Sequence, residues 1–484
     1  MSHSGELLVS QNSIYWYDFE TFGANPRRDR ASQFAGIRTD EDLNIIGEPL
    51  VMYCKPADDF LPDPVACLIT GISPQKALQD GLSESEFTKK IEQEFSKPNT
   101  CVAGYNSIQF DDEMTRQLLY RNFYDAYERE WKNGNSRWDI IDMMRLCAAT
   151  RPEGINWPKR EDGSNSFKLD QLSVENGIEH EDAHDALADV IATIEMAKLV
   201  KSKQPKLFDY VYGLRSKREV QKQLNVQSRK PVLHVSTMYP AEFGRLALVM
   251  PITQHPINQN GVIVYDLRQD PLSWKDLSVE EIRRRIFTPK DQLAEQETRI
   301  ALSSIAINKC PVLSSMSVLE DEQAKQFEID LELCRKHWLV IQQDQDLLNK
   351  IVQVFSEEAS VVEDDPDFMI YNGGFFSDHD KDLMAMIRSV KIEDLARLDL
   401  PFRDRRLQEM YFRYRARNFR ETLSEEELTR WERFRLGRVS NIDARQRYED
   451  SFAEARERAG EEKPVFKDLE EYVSNLIVPV TGDE

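Results

Sequence analysis

Short apolar runs of strand character fill the first hundred residues, and helical periodicity dominates most of the later chain. Ile14-Tyr15-Trp16-Tyr17 runs into Asp18-Phe19-Glu20-Thr21-Phe22-Gly23, an aromatic stretch with the composition of a buried strand. Two more strand-like runs, 33–38 and 49–55, flank the turn Asp40-Glu41-Asp42, which predicts antiparallel pairing rather than a βαβ crossover. Residues 83–95 predict a helix, because Ser83 and Glu86 stand at capping-box spacing and Phe87, Ile91 and Phe95 share a face. A short buried strand is expected over 100–104, then helices opening at Phe110 and over 138–149, 167–175 and onward through Val200. Beyond this, 207–224 reads as helical, and 231–236, 246–252 and 262–267 as a small barrel or curled sheet. Helices over 278–287 and 319–355 are added to it. An acidic linker over 356–367 precedes a helical, highly charged remainder.

A strand places residues two apart on one face, so Asp18 and Glu20 point the same way and Phe19 points opposite. Paired carboxylates at the end of an apolar strand repel each other, and desolvation adds to the cost. Either they face water at an exposed strand end or they share a cation. Asp111, in the first turn of its helix, is by itself better explained by capping of backbone N–H groups and the helix dipole than by a site role. His184 and Asp189 stand five residues apart, about 140° around a helix, so they converge only if His184 sits at the helix start. Asp185 and Asp189 form a like-charged i, i+4 pair, which makes Asp185 the second choice for a site role.

The chain of 484 residues carries a formal net charge of -22. Any nucleic-acid contact must therefore come from local basic patches, since the overall field repels phosphate. Six scattered cysteines without a C-x-x-C pair read as buried thiols in a reducing compartment. With no signal-peptide pattern and no spanning apolar run, a cytoplasmic protein without membrane contact is expected.

Asp-x-Glu on the first strand, an Asp at a mid-domain helix start and His-x4-Asp on a later helix form an ordered set. The set resembles the proofreading-type 3′→5′ exonuclease superfamily, whose site is four acids and a histidine on a ribonuclease H-like fold. Tyr17-Asp18-Phe19-Glu20-Thr21-Phe22-Gly23, Arg151-Pro152-Glu153-Gly154, Ala183-His184-Asp185-Ala186, Ile307-Asn308-Lys309-Cys310-Pro311 and Tyr414-Arg415-Ala416-Arg417-Asn418 are similar to the bacterial exonuclease I family. That resemblance implies an α/β ribonuclease H-like exonuclease domain over residues 1–201. An SH3-like β-barrel domain with added helices would follow over 202–355, and an all-α domain over 356–484.

The resemblance also implies processive 3′→5′ hydrolysis of single-stranded DNA to 5′-mononucleotides, in DNA repair and recombination. Asp18, Glu20, Asp111 and Asp189 would hold two Mg²⁺ ions, or Mn²⁺, about 3.5–4 Å apart. Asp18 would bridge them, His184 would act as general base, and Glu20 would also touch the terminal 3′-hydroxyl. Arg116, Tyr127, Trp131 and Arg145 are candidate single-strand contacts, since charge follows the backbone and rings stack on bases. Lys168 stands where the family places arginine; it keeps the charge but loses bidentate phosphate binding. Seven arginines with interleaved aromatics over 402–420 read either as a second strand-binding surface or as a solvated helix face over a core stripe.

Arg151, Tyr210 and Lys230 are the positions implied for the acidic C-terminal tail of single-stranded DNA-binding protein, and a monomer is expected. The competing readings are an RNA or proofreading exonuclease of the same superfamily and a catalytically inactive single-strand-binding scaffold. All five catalytic residues are present, and about 290 residues lie beyond the first domain, which weighs against both.

Overall fold

The structure is a computed structural model that describes residues 12–179, 185–357, 363–460 and 463–477. The chain divides into two compact units. One draws on Met1–Ser136, His180–Ile194 and Val361–Glu484, the other on Arg137–Glu179 and Glu195–Ser360.

The first unit is built on β1 (Ser13–Thr21), β2 (Ala31–Thr39), β3 (Leu50–Tyr53) and β4 (Thr100–Gly104). β5 (Ser136–Asp139), where the chain leaves this unit, completes the order β3-β2-β1-β4-β5. β1 and β2 are antiparallel with Asp18 opposite Ala35 and Glu20 opposite Gln33, whereas β1 and β4 run parallel. Tyr15, Tyr17 and Phe19 bury one face against Phe87, Ile91 and Phe95 of the Glu84–Phe95 helix and Met114 and Leu118 of the Asp111–Arg121 helix. The period of two then commits Asp18 and Glu20 to the other face. Ser83 caps the Glu84–Phe95 helix by accepting from the Glu86 N–H, as the sequence predicts.

Residues beyond 363 complete this unit. The Arg405–Asn418 helix packs Leu407, Met410, Tyr411 and Tyr414 against Tyr120 and Phe123. The arginine-rich stretch matches neither expectation, because the guanidinium groups of Arg406, Arg413, Arg415 and Arg417 are buried against carboxylates, while Arg403 and Arg405 at its start are exposed. Arg417 bonds Asp59 at 2.7 Å and Asp367 at 2.5 Å, and Arg413 bonds Asp365, Asp367 and Glu409. Arg415 pairs with Glu427, and Arg406 with Asp404. Asp59 and Asp367 are 0 % and 1 % exposed. The described end of the acidic 356–367 segment is thus an internal anion site, not a solvated linker.

The second unit centres on an antiparallel sheet, β6 (Val232–Val235), β7 (Leu246–Gln254), β8 (Gly261–Asp266), β9 (Leu302–Ala306) and β10 (Val312–Ser314), in the order β10-β6-β7-β8-β9. Its core joins Val232, Val249, Val264, Ile305 and Leu313 to Leu214 and Val220 of flanking helices. The expected 319–355 helix is three helices, Asp321–Gln326, Leu331–Gln343 and Gln345–Val354, the last two started by Asp330 and Asp344 caps. The 207–224 stretch is likewise two. Trp138 lies on β5, not in a helix, and packs edge-on against Phe208 and Tyr212. All six cysteines are buried free thiols. Among the described residues no helix is long and apolar enough to cross a membrane.

Candidate active site

Four acidic residues reach one face of the first unit from three elements. β1 supplies Asp18 and Glu20, the Asp111–Arg121 helix supplies Asp111, and the Ala186–Lys203 helix supplies Asp189. Carboxylate oxygens of Asp18, Glu20 and Asp189 all lie within 4.8 Å of one another. Glu20 and Asp111 are buried, while Asp18 and Asp189 are half-buried. One Asp111 oxygen accepts from the Phe19 N–H at 3.1 Å, which fixes that carboxylate to the strand carrying the other two.

The neighbouring Asp112 points into the core instead. It accepts from the Tyr17 hydroxyl at 2.8 Å and from Arg129 at 2.6 Å, and so anchors the first turn of its helix. Gly104 ends β4 where a Cβ would come within 3.0 Å of the Tyr17 carbonyl oxygen, so a residue without a side chain lets the chain turn toward Asp111.

Burial, then the charges of Asp111, Asp189, Glu20 and Asp185, raise the Asp18 carboxyl well above its ordinary range. Glu20 is pushed up to about 9 by burial first and then by Asp189, Asp111 and Asp185. A protein that gathers acids at this cost has a use for a cation there, and an all-oxygen donor set suits a hard divalent ion. The converging acids thus fit the group the sequence implies. His184 lies outside the described residues.

Of the single-strand candidates in the first unit, Trp131 is the open one, with 65 % of its surface exposed. Arg116 is buried, bonded to Glu130 at 2.8 Å and the Tyr371 hydroxyl at 3.3 Å, and lies over the Tyr127 ring. Sequence reasoning missed Tyr371 and Phe375. Phe375 is 85 % exposed and meets Tyr127 edge-on at 5.7 Å. Only its place between two glycines and a second phenylalanine, Gly373-Gly374-Phe375-Phe376, could have marked it.

In the second unit, Arg145 bonds Asp142 at 2.5 Å, lies over the Phe167 ring and lines a cleft with Lys159, Arg245 and Phe327. Lys168 is exposed at the start of the Leu169–Glu175 helix. Arg151 donates to the Val318 carbonyl at 3.0 Å and to Thr150. The Tyr210 hydroxyl donates to Leu313 at 2.9 Å while its ring stays 37 % exposed, and Lys230 is exposed.

A mixed sheet of this order, with acids drawn from its central strand and two helices, defines a nuclease of the ribonuclease H-like class. The family described as exonuclease matches residues 15–197. The chain belongs to the exonuclease I family: the exonuclease I SH3-like domain matches residues 215–357 and the exonuclease I C-terminal domain residues 364–476. It is 46% identical to exodeoxyribonuclease I of Haemophilus influenzae over 434 residues, 89% of this chain and 92% of that protein. Exonuclease I from Methylocaldum szegediense superposes with a TM-score of 0.91 at 48% identity, covering 96% of this chain and all of that one (100%). A zinc-bound complex of Escherichia coli exonuclease I with single-stranded DNA gives 0.92 at 42%, covering 97% of this chain and 100% of the other. The architecture is accordingly an α/β exonuclease domain, an SH3-like domain and a helical C-terminal domain.

Proposed function

We propose that this protein removes 5′-mononucleotides from the 3′ end of single-stranded DNA, using two Mg²⁺ ions for which Mn²⁺ can substitute. The observation that carries the reading is the convergence of Asp18, Glu20 and Asp189 oxygens within 4.8 Å, beside Asp111, in a chain of the exonuclease I family. When bound, the ions neutralise phosphate charge and favour ionisation of a water next to the phosphorus. Asp18 lies centrally and would contact both ions, with Glu20 and Asp189 on one and Asp111 on the other. His184 would take the water's proton, a role that imidazole chemistry suits. Glu20, the more buried acid of the strand, would also orient the 3′-hydroxyl.

Selectivity for single strands follows from stacking, because unpaired bases present faces that a duplex hides. Trp131 and Phe375 are exposed rings that could serve this in the first unit, with half-buried Tyr127 edge-on to Phe375 and Arg116 over the Tyr127 ring. In the second unit the basic cleft around Arg145, and Lys168, would track phosphates. Replacing Trp131 or Phe375 by alanine should weaken single-strand binding by about 1–3 kcal/mol each, with a far smaller change in the single-turnover rate. Fluorescence anisotropy in EDTA, paired with rapid-quench kinetics in Mg²⁺, separates the two.

Residues 1–201, 202–355 and 356–484 are the proposed functional parts, acting as a monomer in cytoplasmic DNA repair and recombination. The acidic tail of single-stranded DNA-binding protein would meet Arg151, Lys230 and the exposed face of Tyr210. A uniformly labelled oligonucleotide tests the activity: the expected result is free mononucleotides with Mg²⁺, none with EDTA, and little from a blunt duplex. Binding without cleavage in Mg²⁺ or Mn²⁺ would instead mark a scaffold, and preference for an RNA strand an RNA exonuclease.

A further inference from the structure

We propose that Gln33 is a positioning residue of the nuclease site, an amide clamp that sets the first turn of the Ala186–Lys203 helix against the sheet and so places Asp189. The inference rests on the nuclease reading for its consequence, but its geometry stands separately. Gln33 lies on β2 directly opposite Glu20 of β1 and Tyr53 of β3, so the three side chains form a row across one face. Its side chain is 1 % exposed. Its Oε1 accepts from the Ala186 N–H at 3.3 Å, and its Nε2 donates to an Asp185 carboxylate oxygen at 3.2 Å and to the Tyr53 hydroxyl oxygen at 3.4 Å.

The other Asp185 oxygen accepts from the Leu187 and Ala188 N–H groups at 3.1 and 3.3 Å, and the Asp189 N–H reaches the Asp185 carbonyl at 3.1 Å. A helix start leaves its first N–H groups without intrahelical partners. Here Gln33 and Asp185 satisfy them between them. Asp185 therefore acts as the cap of the helix, and Gln33 fixes that cap to the strand register that also fixes Glu20.

The residue type is constrained at this position. A hydrocarbon side chain of equal length would leave the Ala186 N–H buried without an acceptor and would take from one Asp185 oxygen the donor that Gln33 supplies. A glutamate would keep the acceptor but set another carboxylate against Asp185, where Glu20, Asp18 and Asp189 already repel one another. Glutamine alone among side chains of this length offers one acceptor and two donors without charge. Outer groups of this kind orient metal-binding carboxylates, and their loss changes metal affinity or activity by about 10–100-fold.

The test compares Gln33→Met and Gln33→Glu with wild type by three measurements. These are turnover against Mg²⁺ concentration, single-strand affinity in EDTA, and the Mg²⁺-induced rise in melting temperature, which needs no turnover. The expected result for Gln33→Met is a roughly 10–100-fold fall in kcat, a higher half-saturating Mg²⁺ concentration and a smaller Mg²⁺-induced rise. Its single-strand affinity in EDTA should stay near wild type, and its melting temperature there should fall only by the few degrees that one unpaired buried N–H costs. Gln33→Glu should also lose turnover while keeping the fold. Either folded variant with wild-type kcat and Mg²⁺ response overturns the proposal, as does a loss that follows only a fall in melting temperature. An inactive wild type that still shows the Mg²⁺-induced rise would count against the nuclease reading and leave the clamp supported or refuted by that rise.

Discussion

Asp18→Asn is expected to cut mononucleotide release by roughly a thousandfold or more, the scale on which one preorganised electrostatic group acts at a reacting centre. The same variant should bind a single strand in EDTA within a few-fold of wild type, because the proposed phosphate and stacking contacts lie elsewhere. Its melting temperature supplies a second readout of opposite sign. In the metal-free protein Asp18 is raised by burial and by four surrounding acids, so a neutral isostere relieves repulsion. Melting in EDTA should stay level or rise. The Mg²⁺-induced rise, which for a ligand at a hundred times its Kd corresponds to about 2.7 kcal/mol, should disappear. A variant that kept both its turnover and its Mg²⁺ response would remove Asp18 from the metal site.

Arg417→Ala carries the second large effect, on stability. Removing the guanidinium leaves Asp59 and Asp367 buried without their principal partner, and losing one member of a buried pair costs about 3–5 kcal/mol. Urea unfolding should show the loss, and Arg417→Lys should recover only part of it because a single ammonium cannot span both carboxylates. Acid should act on the same cluster. Burial alone would raise Asp59, yet Arg417, Arg438 and Arg30 outweigh it and hold the carboxyl well below its usual range. Arg417, Arg413 and Arg30 do the same for Asp367. Against burial, Arg121 and Arg30 bring Glu84 down to about 2.

Carboxyls depressed in the folded state stabilise it fully above their unfolded values, near pH 4. That contribution is lost as pH falls from there through the folded values. Unfolding free energy should therefore drop steeply below about pH 4 in wild type and less steeply in Arg417→Ala, which lacks much of the depression. Parallel slopes would mean that the cluster does not govern acid stability.

The site was more legible in the sequence than the frame around it. Asp18 and Glu20 declare themselves because a period of two leaves no other arrangement for acids flanking a buried Phe19. The 83–95 helix was equally plain, since its cap and its four-residue repeat agree. The short helices Pro64–Thr70 and Pro74–Asp80, and the strands β9 and β10, left too few periodic positions to register. Trp138 misled because an apolar run of helix length begins two residues before the turn at Ile140. The arginines of 402–420 misled for a deeper reason. Their partners Asp59 and Asp367 lie 358 and 50 residues away in the chain, and no local pattern shows that a charge is destined to be enclosed. Gln33 was silent too, since one glutamine in a strand signals nothing until its register against Glu20 is known.

The late arrival of Arg417 bears on how the protein is made. By the time Val200 has been translated, all four acids and His184 exist, yet Asp59 lacks Arg417 and Arg438, and Phe22, just past the acidic strand, lacks Leu469, which shares its cluster. At about 5–20 residues per second, the ribosome needs on the order of ten to forty seconds more to reach Arg417. Through that interval the nascent sheet is an unfinished body, short of the ion-pair and packing partners that the last hundred residues bring. A message broken before codon 417 would then yield no free-running nuclease, only a product that quality-control proteases can recognise.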